Sequence, residues 1–324
     1  MKDSFGRNID YLRVSLTDRC NLRCVYCMPA GGIKSVGHGD ILSYEDTAHI
    51  IRILAADGIS RVKLTGGEPL VRKDICEAVR MIRGIEGIDE ITLTTNGVLL
   101  ESMLDELISA GISSVNISLD TLDPEYYRQI TRVGELDTVL SALDACLGAQ
   151  LRTKINCVPL TDENDILALA RLARDNELHV RFIEKMPFGP ADADKYFPKI
   201  YREDEIRSII EKSFGRLTPC GERLGNGPAV YYSLEGFKGK IGFISAMSHS
   251  FCSSCSRLRL TSTGFLKTCL YYGDGVDLGS MLLEPDSVIE KAVLEAVSRK
   301  RAGHRFGEDA RKDAALSSLS TIGG

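Results

Sequence analysis

The fold of this chain is decided by residues 11–27, whose sequence is YLRVSLTDRCNLRCVYC. Apolar and polar residues alternate through Tyr11–Thr17, which places Leu12, Val14 and Leu16 on one face of a predicted strand. Polar side chains at positions 13, 15 and 17 occupy the opposite face. Three cysteines follow directly, so the segment predicts a strand whose C-terminal end carries a cysteine-rich loop.

The same strand pattern recurs five more times along the chain, and helical patterns separate the strands. Further strands are predicted at Arg61–Thr65, Glu90–Thr95, Ser114–Leu119, Arg152–Val158 and Val180–Glu184. Helices are predicted at Tyr44–Asp57, Asp74–Arg83, Leu99–Ala110, Leu136–Ala149 and Asp165–Asp175. Alternating strands and helices are typical of βαβ units with a parallel sheet. Because six units are fewer than the eight of a closed barrel, we expect an α/β fold with a partial (βα)6 TIM-type barrel.

The predicted strands share a polar face, which is unusual for a parallel sheet. Parallel strands covered on both faces usually read as continuous apolar runs, but here Lys63, Thr94, Asn116 and Lys154 all alternate with apolar neighbours. The polar face fits a cavity for a polar, anionic ligand. The alternative is a sheet with one solvated face. The cavity is favoured because the connections resemble crossovers, which place the helices on the other side.

The pattern changes after about residue 188, where several prolines interrupt it. One more helix is predicted at Arg202–Ser213 and another helical segment at Ser287–Lys300. Strands are predicted at Val230–Leu234, Lys240–Ile244, Arg257–Thr261 and Phe265–Cys269, with turn signals between them. We therefore expect a smaller C-terminal antiparallel β layer with a helical tail. The predicted domains are residues 1–215, the partial barrel, and 216–324, which end in Gly323-Gly324.

Composition narrows the class of protein. The formal net charge of −5 gives no indication of nucleic-acid binding, so an anionic ligand must meet local basic residues. No apolar run is long enough to span a bilayer, and the first residues lack the apolar core of a secretory signal. We therefore expect a cytoplasmic protein without nucleic-acid or membrane partners. In a reducing compartment, clustered cysteines indicate metal binding or catalysis rather than disulfides.

The first cysteine cluster consists of Cys20, Cys24 and Cys27 and is called the first triad below. Cubane iron–sulfur clusters are held by thiolates from one short loop. Three thiolates for four irons leave one iron open to another ligand. Spacing alone also permits a zinc site that lacks its fourth ligand, or unpaired thiols.

The second cysteine cluster, the second triad, consists of Cys252, Cys255 and Cys269. A zinc ribbon half-site is the alternative at this spacing, about as well supported as an iron–sulfur site. Arg257 and Arg259 follow at once and share a face if this segment is a strand. Because arginine binds phosphate in a bidentate manner, an open cluster beside two arginines suggests a substrate with a phosphate end and a ligating end. A solvated strand face is the other interpretation of the arginines.

The first triad and a second motif together resemble the signature of the radical S-adenosylmethionine superfamily. The triad lies in Thr17–Pro29, and Thr65-Gly66-Gly67-Glu68-Pro69 follows the second strand. The two glycines allow backbone groups to approach a ligand closely, and the proline stiffens the turn. The resemblance implies that S-adenosylmethionine chelates the open iron and is cleaved reductively to a 5′-deoxyadenosyl radical.

The whole chain resembles the MoaA-type GTP 3′,8-cyclases, the first enzymes of molybdenum-cofactor biosynthesis. The resemblance extends from Phe5-Gly6-Arg7 through both motifs and Arg181-Phe182-Ile183-Glu184 to Cys252–Leu260 and the terminal Gly323-Gly324. It implies two [4Fe-4S] clusters, one on each triad, and a radical that removes hydrogen from C3′ of GTP, after which C3′ attacks C8. The second cluster would hold the purine.

The resemblance also implies the roles of individual residues. GTP contacts are expected from Arg13, Lys63, Thr94, Lys154, Arg257, Leu258 and Arg259. S-adenosylmethionine contacts are expected from Tyr26, Gly67, Ser118 and Met186. Five of these residues lie on the polar strand face that alternation alone defines: Arg13, Lys63, Thr94, Ser118 and Lys154. Lys63 departs from the family pattern, since arginine is expected there in much of the family, and lysine lacks the planar fork.

Several partners follow from the resemblance as expectations. They are GTP, a flavodoxin- or ferredoxin-like electron donor, and a downstream cyclic pyranopterin monophosphate synthase that takes the product. The chain is expected to be a monomer or a homodimer, and the Gly-Gly end to reach into the active site. Two other hypotheses stay open here: a radical S-adenosylmethionine enzyme that modifies a peptide with the help of an auxiliary cluster, and a zinc-binding interaction module.

Overall fold

The computed structural model describes residues 1–187, 197–221 and 224–304. Within these ranges twelve strands form one continuous sheet. The strands are β1 (Tyr11–Ser15), β2 (Arg61–Thr65), β3 (Glu90–Thr95), β4 (Ser114–Ser118), β5 (Thr153–Cys157), β6 (His179–Ile183), β7 (Thr218–Pro219), β8 (Val230–Ser233), β9 (Lys240–Ile244), β10 (Arg257–Leu260), β11 (Phe265–Lys267) and β12 (Gly275–Asp277). The α-helices are α1 (Tyr44–Ala56), α2 (Ile75–Arg83), α3 (Leu100–Ala110), α4 (Pro124–Thr131), α5 (Leu136–Gly148), α6 (Glu163–Asp175), α7 (Glu203–Phe214) and α8 (Asp286–Ser298).

The predicted elements are present, and their observed ends lie within two residues of the predicted ones. Helix α4 is missing from the prediction, although its start signal stands in the sequence. The Asp123 carboxylate accepts hydrogen bonds from the backbone N–H groups of Glu125 (2.8 Å) and Tyr126 (2.9 Å), and Pro124 is the first helical residue. Aspartate at the cap with proline next to it is a typical helix start, so this short helix was predictable.

The sheet has the strand order β12-β11-β10-β1-β2-β3-β4-β5-β6-β9-β8-β7. Strands β1–β6 lie side by side and pair in parallel. β10 pairs in parallel with β1, and β9 pairs in parallel with β6, while the outermost strands at both edges pair antiparallel. This topology confirms the α/β partial barrel. The C-terminal strands supply the predicted antiparallel pairs, but they extend both edges of the same sheet, where β1 and β6 offer unpaired backbone groups.

Strand direction places the two cysteine triads at opposite ends of the barrel. β10 runs parallel to β1 in a register that pairs Tyr11 with Arg257 and Arg13 with Arg259. The loop that follows β1 is therefore at the C-terminal ends of the parallel strands, and the segment that precedes β10 is at their N-terminal ends. At about 3.3 Å per residue, β1 separates the two ends by roughly 13 Å.

The apolar face of the strands forms the core against the helices. Leu12, Ile91, Val115 and Ile155 are completely buried in one large hydrophobic cluster that also contains the inner faces of the helices. The polar residues that alternate with them face the other way, as the sequence predicts. In the described part of the chain, no helix is long and apolar enough to cross a membrane.

Candidate active site

All six cysteines of the two triads line one cavity on the polar face of the sheet. The structure thus brings together two segments that are more than 200 residues apart. All six are free thiols, partly buried. Because the first triad lies at the C-terminal strand ends and the second at the N-terminal strand ends, the cavity runs between them along the strands.

The loop of the first triad is held by its own turn and by the end of α4. The backbone N–H of Cys27 donates to the carbonyl of Cys24 at 3.0 Å. Arg132, directly after α4, donates through its guanidinium to the carbonyls of Arg23 (2.7 Å) and Met28 (2.9 Å). These bonds fix the backbone directly before Cys24 and directly after Cys27, so the loop that carries the three thiols is held in place.

The Gly-Gly segment after β2 packs directly under this loop. The Gly67 N–H donates to the Thr17 carbonyl (2.7 Å), and the Glu68 N–H donates to the Arg19 carbonyl (2.8 Å). A Cβ at position 67 would stand 2.3 Å from the Arg19 oxygen, which is too close for any side chain. Gly67 is therefore required by backbone approach between the two motifs.

Glu68 is a buried carboxylate with a full set of donors. It accepts hydrogen bonds from the Thr95 hydroxyl (2.7 Å) and from the N–H groups of Asn96 (2.7 Å) and Leu70 (3.0 Å). Burial nevertheless raises its pKa to about 7. The Asn96 amide lies 3.8 Å from the Cys20 sulfur, so Glu68 and Asn96 link the ends of β2 and β3 to the first triad.

Tyr26 inside the cysteine loop is fastened to the end of β4. Its hydroxyl donates to Asp120 at 2.7 Å, and the other carboxylate oxygen accepts from the Val158 N–H at 2.8 Å. Burial raises the pKa of Asp120 to about 6. Ser118 and Met186 also line the cavity, and Met186 packs in a small cluster with Tyr271 and Tyr272. The sequence reasoning missed Asn96 and Asp120, although both stand just after a parallel strand, where barrel active sites form.

The thiols of the two triads differ in acidity. Burial raises the pKa of Cys24 well above its ordinary value and that of Cys27 to about 12. Burial also acts on Cys255, but Arg257 and Lys300 outweigh it and lower the pKa of that thiol to about 7. Burial thus disfavours the thiolate form throughout the first triad, whereas Cys255 has cationic neighbours in the protein itself.

A row of buried and partly buried cations crosses the cavity between the triads. Arg259, Arg13 and Lys63 occupy paired positions on the adjacent strands β10, β1 and β2. Arg181 and Arg257 line the cavity beside them, and the Arg181 guanidinium donates to Asn116. Burial lowers the pKa of Lys63 well below its ordinary value, and the charges of Arg181 and Arg13 lower it further. Like charges crowded in a buried place favour an anionic ligand.

Three of the residues predicted to contact GTP, Leu258, Lys154 and Thr94, lie outside this row of cations. The side chain of Leu258 is completely buried in the core, because it alternates with Arg257 and Arg259, so only its backbone can face the cavity. The Lys154 ammonium donates to the carbonyl of Leu224, and its pKa is lowered to about 8, by burial first and then by Arg181. Thr94 lines the cavity and accepts from the Asn116 amide at 3.3 Å.

Each triad suits a multi-iron cluster better than a single ion. In the three described ranges, no group of three or more His, Cys, Asp or Glu side chains is arranged to hold one metal ion. The thiolates of a cubane bind separate irons and stand further apart than the ligands of one ion. At the first triad, three thiols on one loop, with the Asn96 amide near the Cys20 sulfur, therefore fit an iron–sulfur cluster with one open iron. The same donor set is incomplete for a structural zinc site, which takes four protein ligands.

Comparison with known proteins agrees with this chemistry over the whole chain. Residues 14–173 match the family model of the radical SAM superfamily, and residues 178–306 match the model described as Molybdenum Cofactor Synthesis C. A GTP 3′,8-cyclase of Pelotomaculum thermopropionicum is 44% identical over 332 residues, covering all of both chains. Another from Moorella thermoacetica is 45% identical over 326 residues, covering 98% of this chain and 99% of its own.

This chain belongs to the GTP 3′,8-cyclase family. Membership makes it a radical S-adenosylmethionine enzyme that uses S-adenosylmethionine and iron–sulfur chemistry. The fold agrees as well: the crystal structure of Streptococcus suis SuiB bound to S-adenosylmethionine matches with a TM-score of 0.62 at 16% identity, covering 91% of this chain and 68% of that one. The two motifs that carry the superfamily resemblance are those that meet at the first triad.

Proposed function

We propose that this cyclase converts GTP into (8S)-3′,8-cyclo-7,8-dihydroguanosine 5′-triphosphate, the first step of molybdopterin biosynthesis, by hydrogen abstraction at C3′ and attack of C3′ on C8. One observation supports it above all others. A single cavity has three thiols at each end and buried cations between them. This arrangement suits a nucleotide whose phosphates meet the cations while its ribose and base face the two ends.

The first triad is the proposed radical-generating end. A [4Fe-4S] cluster on Cys20, Cys24 and Cys27, with S-adenosylmethionine bound, supplies a 5′-deoxyadenosyl radical. Around it, the backbone of Gly67 and the side chain of Ser118 line the cavity where the cosubstrate would lie. Tyr26 is held by Asp120, which keeps the loop in place, and Met186, which also lines the cavity, is a further proposed contact.

The cation row is the proposed triphosphate site. Arg13, Lys63 and Arg259 lie at one level of the barrel, with Arg257 one level closer to the second triad. Arginine forks bind phosphate oxygens in pairs, while a lysine provides a point charge. The substitution of lysine for the expected arginine at position 63 keeps the charge. Lys154 and Thr94 are further proposed contacts.

The second triad is the proposed base-binding end. Cys252, Cys255 and Cys269 would hold a second [4Fe-4S] cluster, and three protein ligands would leave one iron to which the guanine could bind. The division into residues 1–215 and 216–324 is proposed on the same functional ground. The described C-terminal part carries this triad, and Gly323-Gly324 lies outside the described residues. A flavodoxin- or ferredoxin-like donor and a pyranopterin synthase remain proposed partners.

An anaerobic assay tests the proposed reaction. The reconstituted protein is incubated with S-adenosylmethionine, a reductant and GTP that carries deuterium at C3′. We expect one deuterium in the 5′-deoxyadenosine and a cyclised nucleotide that has lost it. The variant Cys24→Ala, which lacks one ligand of the first triad, should form neither product.

Two results would overturn the proposal. Formation of 5′-deoxyadenosine without GTP dependence, or without deuterium transfer, would separate the enzyme from this substrate. Stoichiometric zinc in place of iron would favour the interaction module instead. The peptide-modifying alternative is not favoured, because the full-length relatives are GTP 3′,8-cyclases.

A further inference from the structure

Lys300 is a buried lysine that contacts both segments of the second triad. It follows α8, and only 3% of the residue is exposed. Its ammonium donates to the carbonyl of Arg257 at 3.1 Å and to the carbonyl of Thr268. Arg257 stands two residues after Cys255, and Thr268 directly precedes Cys269. The ammonium therefore joins the backbones that present two of the three thiols.

The charge of Lys300 is not balanced by a carboxylate. In the part of the chain that the structure describes, no Asp or Glu stands within ion-pairing distance of it. The groups beside it that can carry negative charge are the thiols of Cys255 and Cys269, which stand within two residues of the carbonyls that it contacts. A buried cation without a partner is costly, so its retention needs an anion, and the second triad is where that anion forms.

Arg7 is the neighbouring buried cation and provides a contrast. Its guanidinium donates to the carbonyls of Cys252 (2.7 Å), Arg301 (2.7 Å) and Ala302 (3.1 Å). Its charge, however, is paired with the buried carboxylate of Asp3 at 2.5 Å. Arg7 therefore ties the N-terminal segment to the triad without adding net charge, while Lys300 adds both backbone contacts and a full positive charge.

We infer that Lys300 is a positioning residue for the second cluster, whose positive charge raises the reduction potential of that cluster and offsets the negative charge of its thiolate ligands. This inference rests on the proposed assignment of a cluster to the second triad. Reduction adds one negative charge to a cluster, and a nearby buried cation favours the reduced form more than the oxidised one. The lysine thus makes the second cluster easier to reduce than it would be without this charge.

The inference is tested on the second cluster alone. The double variant Cys24→Ala/Cys27→Ala removes the first cluster, and iron, sulfide and the midpoint potential are then measured anaerobically by redox titration with EPR detection. In this background, Lys300→Met keeps the stem and removes the charge, whereas Lys300→Arg keeps the charge. Lys291→Met, on the exposed side of α8, is the matched surface control.

We expect a more negative midpoint potential for Lys300→Met and potentials close to the parent for Lys300→Arg and Lys291→Met. An unchanged potential in Lys300→Met overturns the inference. If Lys300→Met loses its iron while Lys300→Arg retains it, the requirement for charge is supported; if both lose it, the charge is not the reason and the inference fails. A parent protein without iron at the second triad refutes the cluster assignment itself, independently of Lys300.

Discussion

Lys63 is a residue whose charge should lower the stability of the free protein and strengthen the binding of an anionic ligand. It is buried between other cations, and burial together with Arg181 and Arg13 lowers its pKa. The ammonium is therefore unfavourable in the free protein and favourable once an anion binds. We expect Lys63→Met to leave the free energy of unfolding unchanged or higher, because a buried like charge is removed.

The same substitution should weaken GTP binding by about tenfold or more, since a charge-assisted contact is worth roughly 1.5–3 kcal/mol. Isothermal titration of the iron-loaded protein measures the affinity, and urea denaturation measures the stability. Lys212→Met, exposed on α7, should change neither. Unaltered GTP affinity in Lys63→Met would remove this residue from the substrate site.

If Lys154 binds GTP as proposed, it should make GTP affinity depend on pH. Its pKa of about 8, lowered by burial and then by Arg181, means that the ammonium is charged below pH 8 and increasingly neutral above. Because only the charged form attracts a triphosphate, its contribution to affinity is complete at low pH and is lost as pH rises through about 8.

The measurement is the ratio of the GTP dissociation constants of Lys154→Gln and the parent enzyme across this pH range. The ratio should be constant below about pH 7 and should fall above about pH 8, by up to about tenfold per pH unit. The ratio isolates Lys154 from the other cations. A ratio that does not change with pH would mean that Lys154 makes no charged contact with GTP.

At the scale of elements, the site depends on close packing between the loops that follow β1 and β2. Gly67 lies against the backbone of the cysteine loop, where a Cβ would stand 2.3 Å from the Arg19 oxygen. Gly67→Ala must push the loop away, and overpacking of this kind costs roughly 1–3 kcal/mol of stability.

We expect Gly67→Ala to lose iron from the first triad while it keeps iron at the second, which is at the other end of the barrel. Mössbauer or EPR spectra of the two clusters, with iron analysis, distinguish these sites. Gly148→Ala at the end of α5 is the matched control, because a Cβ there would meet nothing within 4 Å. Equal iron loss at both triads would indicate general unfolding instead.

At the scale of the molecule, the pairing of β10 with β1 joins the two halves of the chain. It puts Arg259 beside Arg13 and fixes the second triad at the N-terminal strand ends. The triads should therefore load independently. Iron analysis of the intact chain should give roughly eight irons, and Cys252→Ala/Cys255→Ala roughly four, with the radical-generating cluster retained. Loss of nearly all iron in that variant would show that the two sites assemble together.

Much of the fold was predictable because the alternation of apolar residues and the signals that begin and end helices depend on residues close together in the chain. The alternation in β1–β6 indicated which face of the sheet carries the side chains of Arg13, Lys63 and Ser118. The start and stop signals of the predicted helices gave the ends of those helices to within two residues. Leu258 shows the limit of a motif. The family motif includes Leu258 together with Arg257 and Arg259 as a GTP contact. Alternation along β10, however, places the Leu258 side chain in the core.

By itself, the sequence determined the α/β class, the polar strand face and the two cysteine triads, because each depends on residues close together in the chain. Only the tertiary structure decided where the two triads lie relative to each other in the barrel. The direction of β10 depends on which edge of the sheet it joins, and edge pairing is set by backbone groups that look alike in every sequence. Parallel pairing with β1 puts the triads at opposite ends, with the cations between them.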